Sequence, residues 1–295
     1  MTGARVVSRR PLFYSRGADS TLDRPPHVRA GSALARVSNG RLAVVQDDSA
    51  FLAYVDIATG RVDDLPFPSP DGVRQEEKKR KLDLEAMITL HDGTIIAFGS
   101  GSTDRRERLV VVRGHDARVV DARELYAALR PFGSLNIEGA AVHDGDVVFF
   151  NRGNGGPAAI DGTGRMNASA LIAHLRGETP CPPLRDVVSW DLGKSRDGVR
   201  LTFTDATVDP AGRLAFLACA EATPDAIQDG PVSGVAIGWI DDRAGTLEAG
   251  EIVAEDGAPL TDKAEGLAFI DAHRAFAVVD KDDPQKPCEL LELAL

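Results

Sequence analysis

The chain has 295 residues, 43% of them hydrophobic, and its 45 Asp and Glu outnumber its 34 Lys and Arg for a formal net charge of −11. That apolar share is enough for a sizeable core, and the acidic balance argues against the basic face that nucleic-acid binding requires. Cys181, Cys219 and Cys288 stand far apart with no C-x-x-C pair, which leaves out a zinc ribbon and a dithiol redox motif.

Residues 4–14 come first, with Val6, Val7, Leu12 and Phe13 reading as one strand. Arg5, Arg9 and Arg10 lie there without the apolar run of a secretory signal behind them. A first, degenerate unit starts at Ser32-Ala33, turns at Asn39-Gly40 and predicts strands at 42–45 and 51–55. The stretch 71–81, with its charge run 76–81, reads as a solvated loop. A second unit starts at Glu85, turns at Asp92-Gly93 and runs through strands at 95–98 and 109–112. The third starts at Glu138, turns at Asp144-Gly145 and continues at 147–150. The fourth starts at Asp205, turns at 210–212 and continues at 214–218 and 235–240; the fifth starts at Glu265, turns at 271–273 and continues at 275–279 and 290–293. Two helices are inserted. One covers 121–129 with Asp121 as N-cap and Glu124 at the capping-box position, and the other covers 167–176 between Asn167 and the stop signal Gly177. The proline-bearing 180–185 is a loop, and 225–234 is long enough to lie over a channel mouth.

The units share a phrase. It is Leu-Asp-Leu-Glu-Ala-Met at 82–87, Leu-Asn-Ile-Glu-Gly-Ala at 135–140 and Asp-Lys-Ala-Glu-Gly-Leu at 262–267, with the relative Phe-Thr-Asp-Ala-Thr-Val at 203–208. Asn-Gly and Asp-Gly between apolar runs supply the positive φ angles of tight hairpins. From Ala33 through Glu85, Glu138 and Asp205 to Glu265 the spacing is 52, 53, 67 and 60 residues. Each unit therefore holds about four short strands, the content of a propeller blade. The fifth unit runs out of chain after its third strand, so residues 4–14 supply the fourth and leave no open edge. The expected fold is all-β: a single β-propeller domain over 1–295, five-bladed, or six-bladed if the first thirty residues hold more than one strand, closed by pairing the N-terminal strand with the last blade.

In a propeller the first strand of each blade lines a central channel, so Glu85, Glu138, Asp205 and Glu265 are expected to converge there, with Ala33 leaving a gap. Converging carboxylates must take up protons or a cation. Oxygen donors without histidine suit Ca²⁺ or Mg²⁺ over Zn²⁺, so these four are the candidate metal ligands. The alternative is that each bonds backbone N–H groups of the next blade. A rim at the ends of the second strands adds candidate ligand-binding residues: Gln46, Asp47, Asn151, Arg152, Glu221, Asp280 and Lys281. His91 and His143 read as turn residues, and Trp190 and Trp239 as packing.

The Asp/Asn-x-Glu-Gly-like phrases at 83–86, 136–139 and 263–266 resemble those of bacterial propellers grouped with esterase-like phytases and SdiA-regulated proteins. Thr204-Asp205-Ala206, Ala220-Glu221 and Asp229-Gly230 are closer still to an uncharacterised bacterial propeller family. The resemblance implies a channel site, calcium-binding at Glu85, Glu138, Asp205 and Glu265. The expected function is binding of a small ligand or a divalent cation at the axial face. The alternatives are a metal-assisted hydrolase of an ester, lactone or phosphoester, and a protein-interaction scaffold. A cytoplasmic monomer with no nucleic-acid or membrane partner is expected, since no stretch approaches the ~20 apolar residues of a membrane span.

Overall fold

The computed structural model describes residues 3–37, 40–69, 74, 81–153, 161–222 and 230–295. Strand β1 (Ala4–Pro11) is followed by β2 (Gly31–Val37), β3 (Arg41–Gln46), β4 (Phe51–Asp56) and β5 (Val62–Pro66), which form a four-stranded sheet in chain order. A second sheet holds β6 (Leu84–Thr89), β7 (Ile95–Gly99), β8 (Arg108–Arg113) and β9 (Asp116–Asp121). Helix α1 (Arg123–Leu129) leads to a third sheet of β10 (Ile137–His143), β11 (Asp146–Asn151), β12 (Asp161–Asn167) and β13 (Arg185–Trp190), with α2 (Ala168–Leu175) inserted before β13. The remaining strands are β14 (Thr202–Val208), β15 (Leu214–Glu221), β16 (Val232–Asp241), β17 (Thr246–Val253), β18 (Lys263–Asp271), β19 (Arg274–Asp280) and β20 (Glu289–Ala294).

These last seven and β1 make one eight-stranded sheet, ordered β14-β15-β16-β17-β1-β20-β19-β18. Among the described residues the only backbone ladder joining its two halves is a short parallel one, Ala4 with Ile252 and Arg5 with Val253. On its other side β1 pairs antiparallel with β20 from Arg5–Ala294 to Pro11–Glu289. The N-terminal strand thus completes the last set of four, as its orphan position in the sequence suggests.

The turn chemistry explains the hairpins. Asp144 and Gly145 both take positive φ, 51° and 81°, and join β10 to β11 with no other residue between, a pairing that fits a type I′ turn. Asn167 caps α2 by accepting from the Ala170 N–H at 2.9 Å, and Gly177 beyond it takes φ 76°. Helix α1 starts later than expected: Ala122 occupies the N-cap, and the Asp121 side chain accepts from Arg123 instead.

The core is a circuit of interfaces between successive sheets. Val45 and Leu52 pack with Met87 and Val110; Phe98 meets Phe149 edge-on at 5.3 Å; Phe150, Phe203 and Phe216 stack edge-to-face. Leu217 and Ile237 pack with Leu267 and Leu291, and Val278 and Leu290 pack with Leu34 and Val44, which returns to the first sheet. The first strands also touch in a cycle, β2 to β6, β10, β14, β18 and back to β2. The architecture is propeller-like. At the far end of these strands the axis opens into a cavity of about 330 Å³ beside Leu34, Met87, Ala140, Val208 and Ile270. No helix among the described residues is long and apolar enough to cross a membrane.

Candidate functional site

Each first strand breaks its pairing at one place. The ladder skips Ser32 in β2, Glu85 in β6, Glu138 in β10, Thr204 in β14 and Glu265 in β18. Such bulges re-aim a side chain out of the regular alternation. They also correct the sequence alignment by one residue in two units. The equivalents of the glutamates are Ser32 and Thr204, not Ala33 and Asp205.

Ser32 and Thr204 lock neighbouring first strands. Ser32 Oγ donates to the Leu84 carbonyl, and Thr204 Oγ1 donates to the Ala264 carbonyl at 2.8 Å. Asp205, one residue on, accepts the N–H of its own neighbour Ala206 at 2.8 Å and that of Leu267 at 2.7 Å, and the Leu34 N–H also bonds it. Its carboxylate therefore ties β14 to β18 and β2. Burial pushes its pKa well up, and these three N–H groups pull against that. Three N–H groups thus occupy most of the roughly four lone-pair sites of the carboxylate, which gives Asp205 a framework role. The glycines of the shared phrase serve the same close approach. A Cβ on Gly139 would lie 2.7 Å from the Ala206 nitrogen, and one on Gly266 2.7 Å from the Leu34 nitrogen.

Glu85, Glu138 and Glu265 are buried, and the electrostatic field links Glu138 to both of the others. Glu138 accepts from Asn136 Nδ2 at 2.6 Å and faces Arg152 at 3.5 Å. Arg152 also donates to Glu221 at 2.8 Å and to Thr202 Oγ1 at 3.0 Å. Glu265 pairs with Lys263 at 3.0 Å, which reaches Asp282 at 3.2 Å. Glu85 differs: among the described residues no hydrogen bond or ion pair reaches its carboxylate, although it is only 9% exposed. One of its oxygens lies within 4.8 Å of oxygens of Asp47 and Asp83. Lys81 bridges those two aspartates, 2.8 Å from Asp83, and Arg106 holds the other Asp83 oxygen at 2.8 Å.

Burial is the largest cause of the raised carboxyl pKa values here. It pushes Glu85 well above the usual range, with the charges of Asp83 and Glu138 adding to it. It lifts Glu265 well up against the pull of Lys263, and Glu138 less far against Arg152. Asp47 rises to about 6 and Asp280 to about 7. Cys219, paired with Thr202 across the β14–β15 hairpin and bonded to the Ala264 carbonyl, is pushed up to about 12 by burial and remains a thiol.

Of the rim residues named from sequence, Asp47, Arg152, Glu221 and Asp280 face this charge cluster. The other three do not. Gln46 bonds Tyr14, Phe51 and Arg29 inside the first sheet. Asn151 holds the backbone at Asn136 and Ser134. Lys281 joins a peripheral quartet with Asp262, Glu289 and Arg9 that fastens β1 to the last strands. Lys81 is not a solvated end of the charge run but a largely covered ion-pair partner; Asn39 and residues 71–73, 75–80 and 225–229 lie outside the described residues. Sequence reasoning missed the roles of Asp83 and Lys263. The signal was present for both: Asp83, Asn136 and Lys263 each stand two residues before a glutamate, and in a strand that spacing puts them on the same face.

The fold and this site define a propeller-like β protein with a buried, acid-rich axial cluster built of oxygen donors. The chain belongs to a family of unknown function, DUF6929, whose model matches residues 27–295. No curated protein matches the sequence. Among solved structures it is similar to the PQQ-bound aldose sugar dehydrogenase from Streptomyces coelicolor, at 12% identity and TM-score 0.52, over 99% of this chain and 97% of that one. It is also similar to a GH130-family structure described as targeting β-1,2-mannosidic linkages in Candida mannan, at 8% identity and TM-score 0.52, over 96% and 90% of the two chains. A putative glycoside hydrolase from Bacteroides ovatus matches at 9% identity and TM-score 0.51, over 90% and 87%. At these identities the likeness concerns the fold.

Proposed function

We propose that this chain is a single five-bladed β-propeller whose axial mouth binds a positively charged partner, a divalent cation such as Ca²⁺ or Mg²⁺ or the cationic end of a small ligand. The observation that carries this is Glu85, a buried carboxylate with no partner among the described residues beside two further acids. The field of Lys81 answers the charge of Glu85 only in part; a buried carboxylate without a direct ion pair is costly, and a bound cation relieves it. Arg152, Lys263 and Lys81 are already engaged by their own acids. The donors are all carboxylate oxygens, which fits hard cations.

Thermal unfolding of chelator-stripped protein tests the reading. At 100 times Kd a ligand stabilises by about 2.7 kcal/mol, so Ca²⁺, Mg²⁺ or Mn²⁺ should raise the midpoint of the wild type and not that of Glu85→Gln. No shift with any of the three would refute cation binding.

A second reading follows from the same residue: hydrolysis of an ester, lactone or phosphoester. A carboxyl held above its usual range is suited to accept a proton from water, and a bound cation would polarise the substrate. Glu85→Gln should then abolish turnover on a substrate panel while the protein stays folded; unchanged turnover eliminates this reading.

A further inference from the structure

We infer that Asp47, Asp83 and Glu85 form the divalent-cation site itself, and that Lys81 is its built-in counter-ion, expelled when a metal enters. This rests on the cation-binding reading above. Two independent observations point to the place. One is geometric: three carboxylates, one just after β3 and two at the start of the second sheet, bring one oxygen each within 4.8 Å of one another. The other is the state of Glu85, more than nine-tenths buried and bonded to nothing among the described residues, with its oxygen turned into that group.

Lys81 already answers part of the cluster's charge. Its Nζ contacts Asp47 and lies 2.8 Å from Asp83 Oδ1, while its side chain is only 11% exposed. It leaves Glu85 without an ion pair. A Ca²⁺ ion bound by the same oxygens sits 2.3–2.6 Å from each. An ammonium held on two of those three acids cannot stay there beside a dication, because the two would share oxygens and repel at close range. Binding is therefore an exchange: the metal enters, Lys81 leaves, and Glu85 gains its partner. Arg106, on the outer oxygen of Asp83 at 2.8 Å, keeps that carboxylate oriented throughout. The exchange also sets selectivity. A monovalent ion brings no more charge than the ammonium it would displace, so Na⁺ and K⁺ gain nothing.

The exchange is read directly on the wild-type protein by acylating lysines with an N-hydroxysuccinimide acetate ester and mapping the products by mass spectrometry. Adding Ca²⁺ or Mn²⁺ to chelator-treated protein should raise modification of Lys81 at least fivefold, while the exposed Lys286 changes less than twofold; Na⁺ and K⁺ at equal ionic strength should leave Lys81 protected. In calorimetric titrations Lys81→Met should bind Ca²⁺ or Mn²⁺ at least tenfold more tightly than wild type. If a metal binds the wild type but Lys81 stays protected, the exchange is wrong and the cation-binding reading stands. Weaker or equal binding by Lys81→Met also overturns the exchange. If neither protein binds any of the metals, both readings fall. Should Lys81→Met fail to fold, the labelling of the wild type decides alone.

Discussion

Asp205 offers the sharpest test of the division between framework and site. It is 1% exposed and takes N–H groups from Ala206 at 2.8 Å, from Leu267 at 2.7 Å and from Leu34. Asp205→Asn keeps the shape but replaces one acceptor oxygen with an NH₂ group. That group faces a backbone N–H, so at least one donor is left buried without a partner. An unsatisfied buried group costs about 1–3 kcal/mol, and the remaining bonds lose the strength that the charge gave them. We expect Asp205→Asn to lose about 2–4 kcal/mol and Asp205→Ala more. For a chain of 295 residues, an unfolding entropy of about 2.1 cal/mol/K per residue converts each kcal/mol to roughly 1.6 °C, so the Asn variant should melt about 3–6 °C lower. Urea denaturation gives the free energy. Hydrogen exchange gives the location, since the amides of Leu34, Ala206 and Leu267 should exchange faster than those of β16. The affinity for metal should stay within twofold of wild type. An Asn variant within 0.5 kcal/mol of wild type, or one that loses metal binding with its stability intact, would show that Asp205 works in the site after all.

Three further outcomes are expected. Gly139→Ala, whose Cβ would sit 2.7 Å from the Ala206 nitrogen, should cost about 1–3 kcal/mol by overpacking, read from the urea midpoint; the related Ala86 shows that the requirement is local to this strand pair. Arg165, 2% exposed and bidentate to Asp242 at 2.6 and 2.7 Å, joins the third sheet to the β16–β17 turn. Arg165→Met should cost about 3–5 kcal/mol by stranding a buried carboxylate, and adding Asp242→Leu should recover part of that loss; no recovery would argue against the pairing. Asp280 is lifted by burial to about 7, whereas an unfolded chain titrates it near ~3.9. The folded state keeps a proton that the unfolded state has lost, so stability should fall as pH rises from about 4 to 7, by at most about 4 kcal/mol. Asp280→Asn should flatten that slope in denaturation curves taken across the window, and an unchanged slope would assign it elsewhere.

The repeat, the turns and the orphan N-terminal strand were legible in the sequence because each is a local pattern. Asp144-Gly145 imposes its hairpin, and the glutamate phrases mark the heads of three first strands. The other two heads were misread by one residue. A bulge shifts the alternation by one residue, and matching acid with acid hides that shift. With Ser32, Glu85 and Glu138 in register, the first two spacings become 53 and 53 residues. Thr204 was hidden because its hydroxyl performs a framework role that no acid motif announces. Lys81 was hidden for a different reason. It ends a charged run of the kind that is usually solvated, and only the tertiary placement of Asp47 and Asp83 gives it a buried destination. The cations facing Glu138 and Glu265 show both cases: Arg152 stood at a recurrent rim position, while Lys263 was masked by its neighbour Lys281, whose charge goes to Asp262 and Glu289.

The pairing of β1 with β20 also fixes an order of events. Ser8 meets Glu292 across 284 positions of sequence, so the first strand made is the one that waits longest for a partner. At 5–20 residues per second, synthesis keeps it waiting about 15–60 seconds, while the sheets between can already pack on one another. Its outer row is guarded in the meantime by Ser8, Arg9 and Arg10, side chains that discourage another chain from pairing there. The last set of four strands cannot be completed before β20 has been made. A chain stopped before residue 289 should hold its first three sheets against protease while the segment 4–11 remains open to cleavage.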